Sequence, residues 1–211
     1  MNTLLMDTSS PNMLVALKSQ DILLEGEKVN TSKHLETLMP SVQRLLEQKD
    51  YGVANIDYLG VVVGPGSFTG IRIAVATAKA MMMVNRKLKA VAVNTFELMD
   101  YIYRKQSQDK DKVVYIIPTT IKKVYYAEFD QNGRVGEDKI VELASLKDYA
   151  GEHKIISSVS LEGYEVCDIT TALFGEFVDA KIYNKDFADI LAPCYVGLSQ
   201  AEEQLKNKEN K

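Results

Sequence analysis

Residues 57–84 run DYLGVVVGPGSFTGIRIAVATAKAMMMV, and the rest of the chain arranges itself around them. YLGVVVG is apolar without alternation, the pattern of a parallel strand covered on both faces. Gly64, Gly66 and Gly70 follow at once. Glycines at a strand-to-helix junction let the backbone take positive φ and approach a ligand, and the first amides of the next helix point outward as anion donors. The spacing G-x-G-x-x-x-G is neither the dinucleotide fingerprint nor a P-loop, and no lysine follows Gly70 to reach a phosphate. Two readings stay open: a cradle for a phosphate, or a device that places the helix behind it.

That helix, from Gly70 to Asn85, is apolar nearly all round. Ile71, Val75, Ala78 and Met82 fall on one side, and Ile73, Ala76, Ala80 and Met83 on another. A helix resting on one sheet needs a single apolar stripe. The second stripe predicts either burial between two parts of the chain or a protein interface. Consecutive Met81, Met82 and Met83 add adaptable apolar surface.

On the N-terminal side, TLLMDTS, NMLVALKS and DILLEGEKV are short β-type runs separated by turn-prone SSPN and SQ, which predicts an antiparallel meander. HLETLMPSVQRLLEQ then carries Leu35, Leu38, Met39, Val42, Leu45 and Leu46 at helical spacing. Ser32 is its candidate N-cap, and Pro40 is expected to kink it or divide off its first turn. On the C-terminal side, LKAVAVNT reads as a buried strand and FELMDYIYRK as a helix. The order βββ, α, β, α, β, α is that of the ribonuclease-H-like core.

Polarity rises at RKQSQDKDK, residues 104–112, which reads as a linker between two lobes. Strands restart at KVVYIIPTT, KKVYYAEFD and, after a QNGR turn, GEDKIVEL; a short helix in ASLKDYAG, a strand in KIISSVS and a helix in DITTALFGEFVD follow. The repeated opening predicts a duplicated α/β fold with lobes at 1–106 and 107–211. The tail EEQLKNKENK has the composition of a solvated end.

With 46% hydrophobic and 26% charged residues, the chain has the composition of an ordinary folded protein. A formal net charge of −4 supplies no basic field, so independent binding to nucleic acid is not expected. No apolar run reaches the ~18 to 20 residues of a membrane span, and MNTLLMDTSS lacks the basic start of a signal peptide, so a cytoplasmic location is expected. Cys167 and Cys194 are far apart and form no C-x-x-C pair, which predicts two reduced structural thiols.

Asp7 closes the first strand in MDTSS, where a carboxylate can hold hydrated Mg²⁺ beside hydroxyls that face a phosphate, or can simply cap a turn. Asp7 with Gly64, Gly66 and Gly70 is thus the candidate cofactor site, and a small ATPase or kinase built on it is the alternative function. His34 and His153 are too far apart for a metal pair of the H-E-x-x-H type, which argues against metalloprotease chemistry. Ser67 and Thr69 are read as helix caps rather than nucleophiles, because the loop is not G-x-S-x-G and no base stands near.

MDTSS, TSKHLETLMPSVQRLL and above all VVGPGSFTGIRIAVATAKAM resemble the TsaB (YeaZ) family, the bacterial partner of TsaD in making N6-threonylcarbamoyladenosine in tRNA. The likeness covers residues 1 to about 100. It implies a two-lobed fold of the ASKHA (actin, Hsp70 and sugar-kinase) superfamily and a subunit with no catalytic activity and no cofactor of its own. It also implies pairing with TsaD, or with a second copy when TsaD is absent, recruitment of the ATPase TsaE, and contact with tRNA only through the complex. ATP or ADP with Mg²⁺ would then belong to the partner interface. Leu35, Leu38, Met39, Val42, Ile73, Ala76, Ala80 and Met83 are the interface residues this implies, and the glycine loop would start the interface helix. The second lobe departs from the family, with PTTIKKVYYAEF where a D-A-R-like segment is usual and PCYVG in place of Y-L-R.

Overall fold

Side-chain alternation in four strands sorts the first sheet's residues between two different cores. The computed structural model describes residues 1–20, 22–25, 29–30 and 33–197. Strands β1 (Asn2–Asp7), β2 (Asn12–Ser19) and β3 (Ile22–Glu25) form an antiparallel meander, with a short β4 (Val29–Asn30) paired to β2. After helix α1 (His34–Glu47), strand β5 (Tyr58–Gly64) lies parallel to β1; helix α2 (Phe68–Val84) then leads to β6 (Lys89–Asn94), parallel to β5. The resulting order is β3-β2-β1-β5-β6.

Helix α3 (Thr95–Ser107) leads to a second sheet that repeats the plan. Strands β7 (Val113–Pro118), β8 (Lys123–Asp130) and β9 (Gly133–Glu142) form the meander; α4 (Leu146–Ala150) intervenes; β10 (Lys154–Ser157) and β11 (Glu165–Val166) add in parallel; α5 (Thr171–Tyr183) follows. Its order, β9-β8-β7-β10-β11, has the topology of the first sheet, so the predicted duplication is present.

On one face of the first sheet, Leu4, Met6, Val15, Leu17, Val61 and Val63 pack under α1 and α2. On the other, Leu5, Ala16, Val62 and Val91 meet Phe96 and Met99 of α3 and Phe174 and Val178 of α5, which also contact the second sheet through Tyr115 and Ala127. The outer face of the second sheet buries Val114 and Ile116 against Leu146 and Ala150 of α4. The layers are therefore helix, sheet, helix, sheet, helix, and β5 is covered on both faces as its sequence predicts.

One expectation needs correction. Pro40 neither divides α1 nor ends it, and the helix is continuous from His34 to Glu47. Both Pro40 and Glu36, whose carbonyl loses its donor, are exposed, so water can serve the freed oxygen. The segment 104–112 joins the two sheets, and side-chain hydrogen bonds tie it down. Arg104 is ion-paired to Asp100 at 2.8 Å and donates to the carbonyls of Asp109 at 3.0 Å and Phe129 at 3.2 Å, while Tyr103 Oη donates to Asp109 at 3.0 Å. Ser32 and the tail 202–211 lie outside the described residues. α5, although encoded in the second half, packs on β1, β2 and β6 of the first sheet.

Candidate functional site

Backbone packing consumes the three loop glycines. Gly64 has φ +112°, and a Cβ there would stand 2.5 Å from the Cys194 carbonyl oxygen; at Gly66 it would stand 2.5 Å from that of Ser9. At Gly70 a Cβ would run into the Thr8 carbonyl outright. Hydrogen bonds close the same contacts: Ser67 N donates to Ser9 O at 2.6 Å, and Thr8 Oγ1 donates to Gly70 O at 2.6 Å. Ser67 Oγ accepts from Gly70 N at 3.2 Å, making Ser67 the N-cap of α2. The loop thus clamps the start of α2 onto the exit of β1.

Asp7 stands apart from the loop glycines. It is buried, Oδ1 accepts from Ser9 N at 2.7 Å, and burial raises its carboxyl pKa, partly offset by the Ser9 hydroxyl and amide and by the nearby His34. It lines a cavity of about 270 Å³ between the lobes, with Ser9, Thr95, Ser158 and Asp168 among its polar neighbours. Gly64, Gly66 and Gly70 do not line that cavity, and neither does any lysine, arginine or histidine among the described residues. A nucleoside triphosphate there would find no side-chain cation among the described lining residues for its phosphates. Cys167, also in the lining, has its thiol pushed up to about 12 by burial and by Asp168 and Glu165, which disfavours the thiolate.

The outer surface of α2 is the other unusual feature. Ile71, Ala74, Val75, Ala78 and Met81 are buried, whereas Ala76, Ala80, Met83 and Val84 are exposed and Ile73 half-buried. Met83 is 68% and Val84 77% exposed, so an apolar stripe faces outward along the helix. On the neighbouring α1, Leu35 at 77% and Met39 at 47% are exposed as well. Leu38 and Val42, expected at the same interface, are each 1% exposed and belong to the core under α1; the helical period that aligned them with Leu35 and Met39 actually separates two faces.

Several site residues escaped the sequence reading. Val84 continues the period of Ile73, Ala76 and Ala80 and was legible there. The Arg72 guanidinium lies 3.8 Å from the Phe68 ring centroid and Arg72 Nε donates to Tyr195 Oη at 2.8 Å, which pins the segment PCYVG to the start of α2. Only the folded chain brings residues 123 apart in sequence together. His34 and His153 sit in different lobes, and among the described residues no group of three His, Cys, Asp or Glu is placed to hold a metal ion. No helix among the described residues is long and apolar enough to cross a membrane.

Residues 28–183 match the family described as TsaD: tRNA N6-adenosine threonylcarbamoyltransferase. A protein of Buchnera aphidicola subsp. Acyrthosiphon pisum named "tRNA threonylcarbamoyladenosine biosynthesis protein TsaB" is 32% identical over 101 residues, covering 47% of this chain and 44% of that one. The Escherichia coli (strain K12) protein of the same name is 29% identical over 136 residues, covering 63% of this chain and 58% of that one. The chain spans about half the length of the curated relatives it matches. The solved structure of YeaZ from Pseudomonas aeruginosa superposes with a TM-score of 0.69 at 17% identity, covering 92% of this chain and 99% of that one, which establishes a shared fold.

Proposed function

The chain belongs to the family described as TsaD: tRNA N6-adenosine threonylcarbamoyltransferase, and from that premise we propose that it is a non-catalytic scaffold or activating subunit in tRNA threonylcarbamoyladenosine biosynthesis. It binds and stabilises a TsaD-type transferase, helps to recruit a TsaE-type ATPase, and pairs with a second copy of itself when the transferase is absent. It meets tRNA only as part of the assembly, in the cytoplasm. Any ATP or ADP with Mg²⁺ is held at the shared interface.

The observation that carries this reading is the outward apolar stripe of α2, Ile73, Ala76, Ala80, Met83 and Val84, with Leu35 and Met39 exposed on the neighbouring α1. A monomer gains nothing from leaving such an apolar stripe in water. Small residues at 76 and 80 let a partner helix come close, and the methionines adapt to its shape. The loop fits the role too, since its glycines fix where α2 starts and hence where the stripe points. Activation would follow from differential binding: a partner that favours the active conformation of the transferase shifts its population without adding chemistry.

The test is threonylcarbamoyladenosine formation on tRNA by the transferase and ATPase of the same cell, with this chain added or omitted. Added wild-type chain is expected to raise the rate, and Ala80→Arg, which places a charge in the stripe, is expected to leave it at the level without the chain. Equal rates with and without the wild-type chain would refute the reading.

A further inference from the structure

The exposed face of α2 is basic as well as apolar. Arg72, Ala76, Lys79 and Met83 succeed one another at steps of four, three and four residues, so on a helix they lie in one row, and all four are exposed. Arg86 comes seven residues after Lys79, just past the end of α2, and is exposed too. The cations thus recur every seventh residue beside the apolar stripe, the spacing at which charged residues flank the seam between paired helices and set the choice of partner. From Phe68 to Lys89 the sequence holds Arg72, Lys79, Arg86, Lys87 and Lys89 and no Asp or Glu, in a chain whose formal net charge is −4.

The row keeps its charge in the folded chain. The Arg72 guanidinium is held by neutral groups, 3.8 Å from the Phe68 ring centroid and through Nε to Tyr195 Oη at 2.8 Å, which fix its place without offsetting it. Lys79 and Arg86 have no ion-pair partner among the described residues. A second copy would bring the same row. Its α2 offers no carboxylate, and the exposed carboxylates of the neighbouring α1 are already engaged there, Glu36 with Lys33 at 3.6 Å and Glu47 with Gln43 at 2.7 Å. Like charges brought together across an interface oppose pairing, whereas opposite ones steer and register it. We propose that the α2 face is matched to a helix of a different protein, apolar along its middle and lined with Asp or Glu along one edge, and that the row Arg72, Lys79 and Arg86 selects this partner over a second copy. The inference rests on the docking role proposed above and adds the chemistry of the surface that α2 meets. Pairing with a second copy is then the weaker alternative, favoured by salt.

Sedimentation velocity at about 0.05 and about 0.5 M NaCl, where screening is weak and strong, reads the charge contribution. The full chain is titrated with the TsaD-type transferase of the same cell as wild type, as Lys79→Gln with Arg86→Gln, and as Lys79→Glu with Arg86→Glu. At low salt, neutralising the two cations is expected to weaken the mixed complex several-fold and reversing them to weaken it on the order of ten-fold, and the three forms should converge at high salt. Self-association of the wild type should move the other way and tighten with salt. At low salt, wild type mixed with the reversed chain should pair more tightly than wild type alone. Equal transferase affinities of the three forms at low salt, or wild type that pairs with itself more tightly at low salt than at high, would overturn the charge selection and leave the docking role standing. No complex of wild type with the transferase at either salt would overturn both. The replaced side chains are exposed, so folded circular dichroism is expected of both variants, and the neutral form carries the comparison if reversal perturbs the helix.

Discussion

Replacing Gly70 by alanine tests whether the glycine loop exists for close backbone approach. The added methyl would overlap the Thr8 carbonyl oxygen and lie 3.0 Å from its carbon, with Ser67 Cβ at 3.2 Å, so the obstacle is main chain and cannot rotate away. Either the exit of β1 or the first turn of α2 must move. Overpacking of this kind costs ~1–3 kcal/mol. The movement also breaks the buried Thr8 Oγ1 to Gly70 O bond and the Ser67 cap, each worth ~1 kcal/mol. Alanine returns up to ~1 kcal/mol through helix propensity. The net expectation is a loss of about 3 kcal/mol, read by urea unfolding at unchanged m-value, and a fall in Tm of roughly 6–12 °C for a chain of this size. Gly52→Ala is the control, because a Cβ there meets nothing within 4 Å, and it should stay within ~0.5 kcal/mol of wild type. A Gly70→Ala chain less than ~1 kcal/mol destabilised would show that the main-chain contact is not what requires glycine, and would return the loop to the ligand-cradle reading.

Further predictions concern α1 and Asp7. Leu38→Ala, in the core, should cost ~2–5 kcal/mol in urea unfolding, whereas Leu35→Ala should stay within ~0.5 kcal/mol and act only on pairing. Asp7 has a folded-state pKa raised above the ordinary aspartate value of 3.8, so the native state holds more protons than the unfolded chain between those two values and stability falls as pH rises through that window. Asp7→Asn keeps an acceptor for Ser9 N but removes the titration; its stability relative to wild type should therefore climb with pH above 3.8, and parallel pH profiles would contradict the sign.

Legibility in the sequence followed physical range. Local periodicity located NMLVALKS as β2 and YLGVVVG as β5 to the residue, because burial on one or both faces is written in the spacing of apolar residues. The second lobe's meander was legible for the same reason, but the two-residue β11 was not, being too short to carry a period. On α2 periodicity told Ile71, Val75 and Ala78 from Ala76, Ala80 and Met83 but put Ile73 and Met82, both half-buried against one core, on opposite sides, and on α1 it merged Leu38 and Val42 with Leu35 and Met39, where i and i+3 neighbours straddle the boundary between core and surface. Non-local features left no trace: the Arg72 to Tyr195 bracket, the Arg104 corner, and the cavity lining that Asp7 shares with Cys167 all depend on chain segments brought together by the duplicated topology. The glycine loop shows both sides of this. Its sequence marked a tight strand-to-helix junction, but that its glycines stand against the Thr8, Ser9 and Cys194 backbones became visible only with β1 and the C-terminal segment in place.

Whether the α2 stripe docks a transferase is decided by multi-angle light scattering of the chain alone and mixed with the TsaD-type transferase of the same cell, in wild-type and Ala80→Arg forms. A mixed species with the summed mass of both proteins, lost in Ala80→Arg while that variant keeps its folded circular dichroism, is the expected outcome. Wild-type chain whose mass is unchanged by the transferase, or a mixed complex indifferent to a charge in the middle of the α2 stripe, would mean that the stripe is not the docking surface.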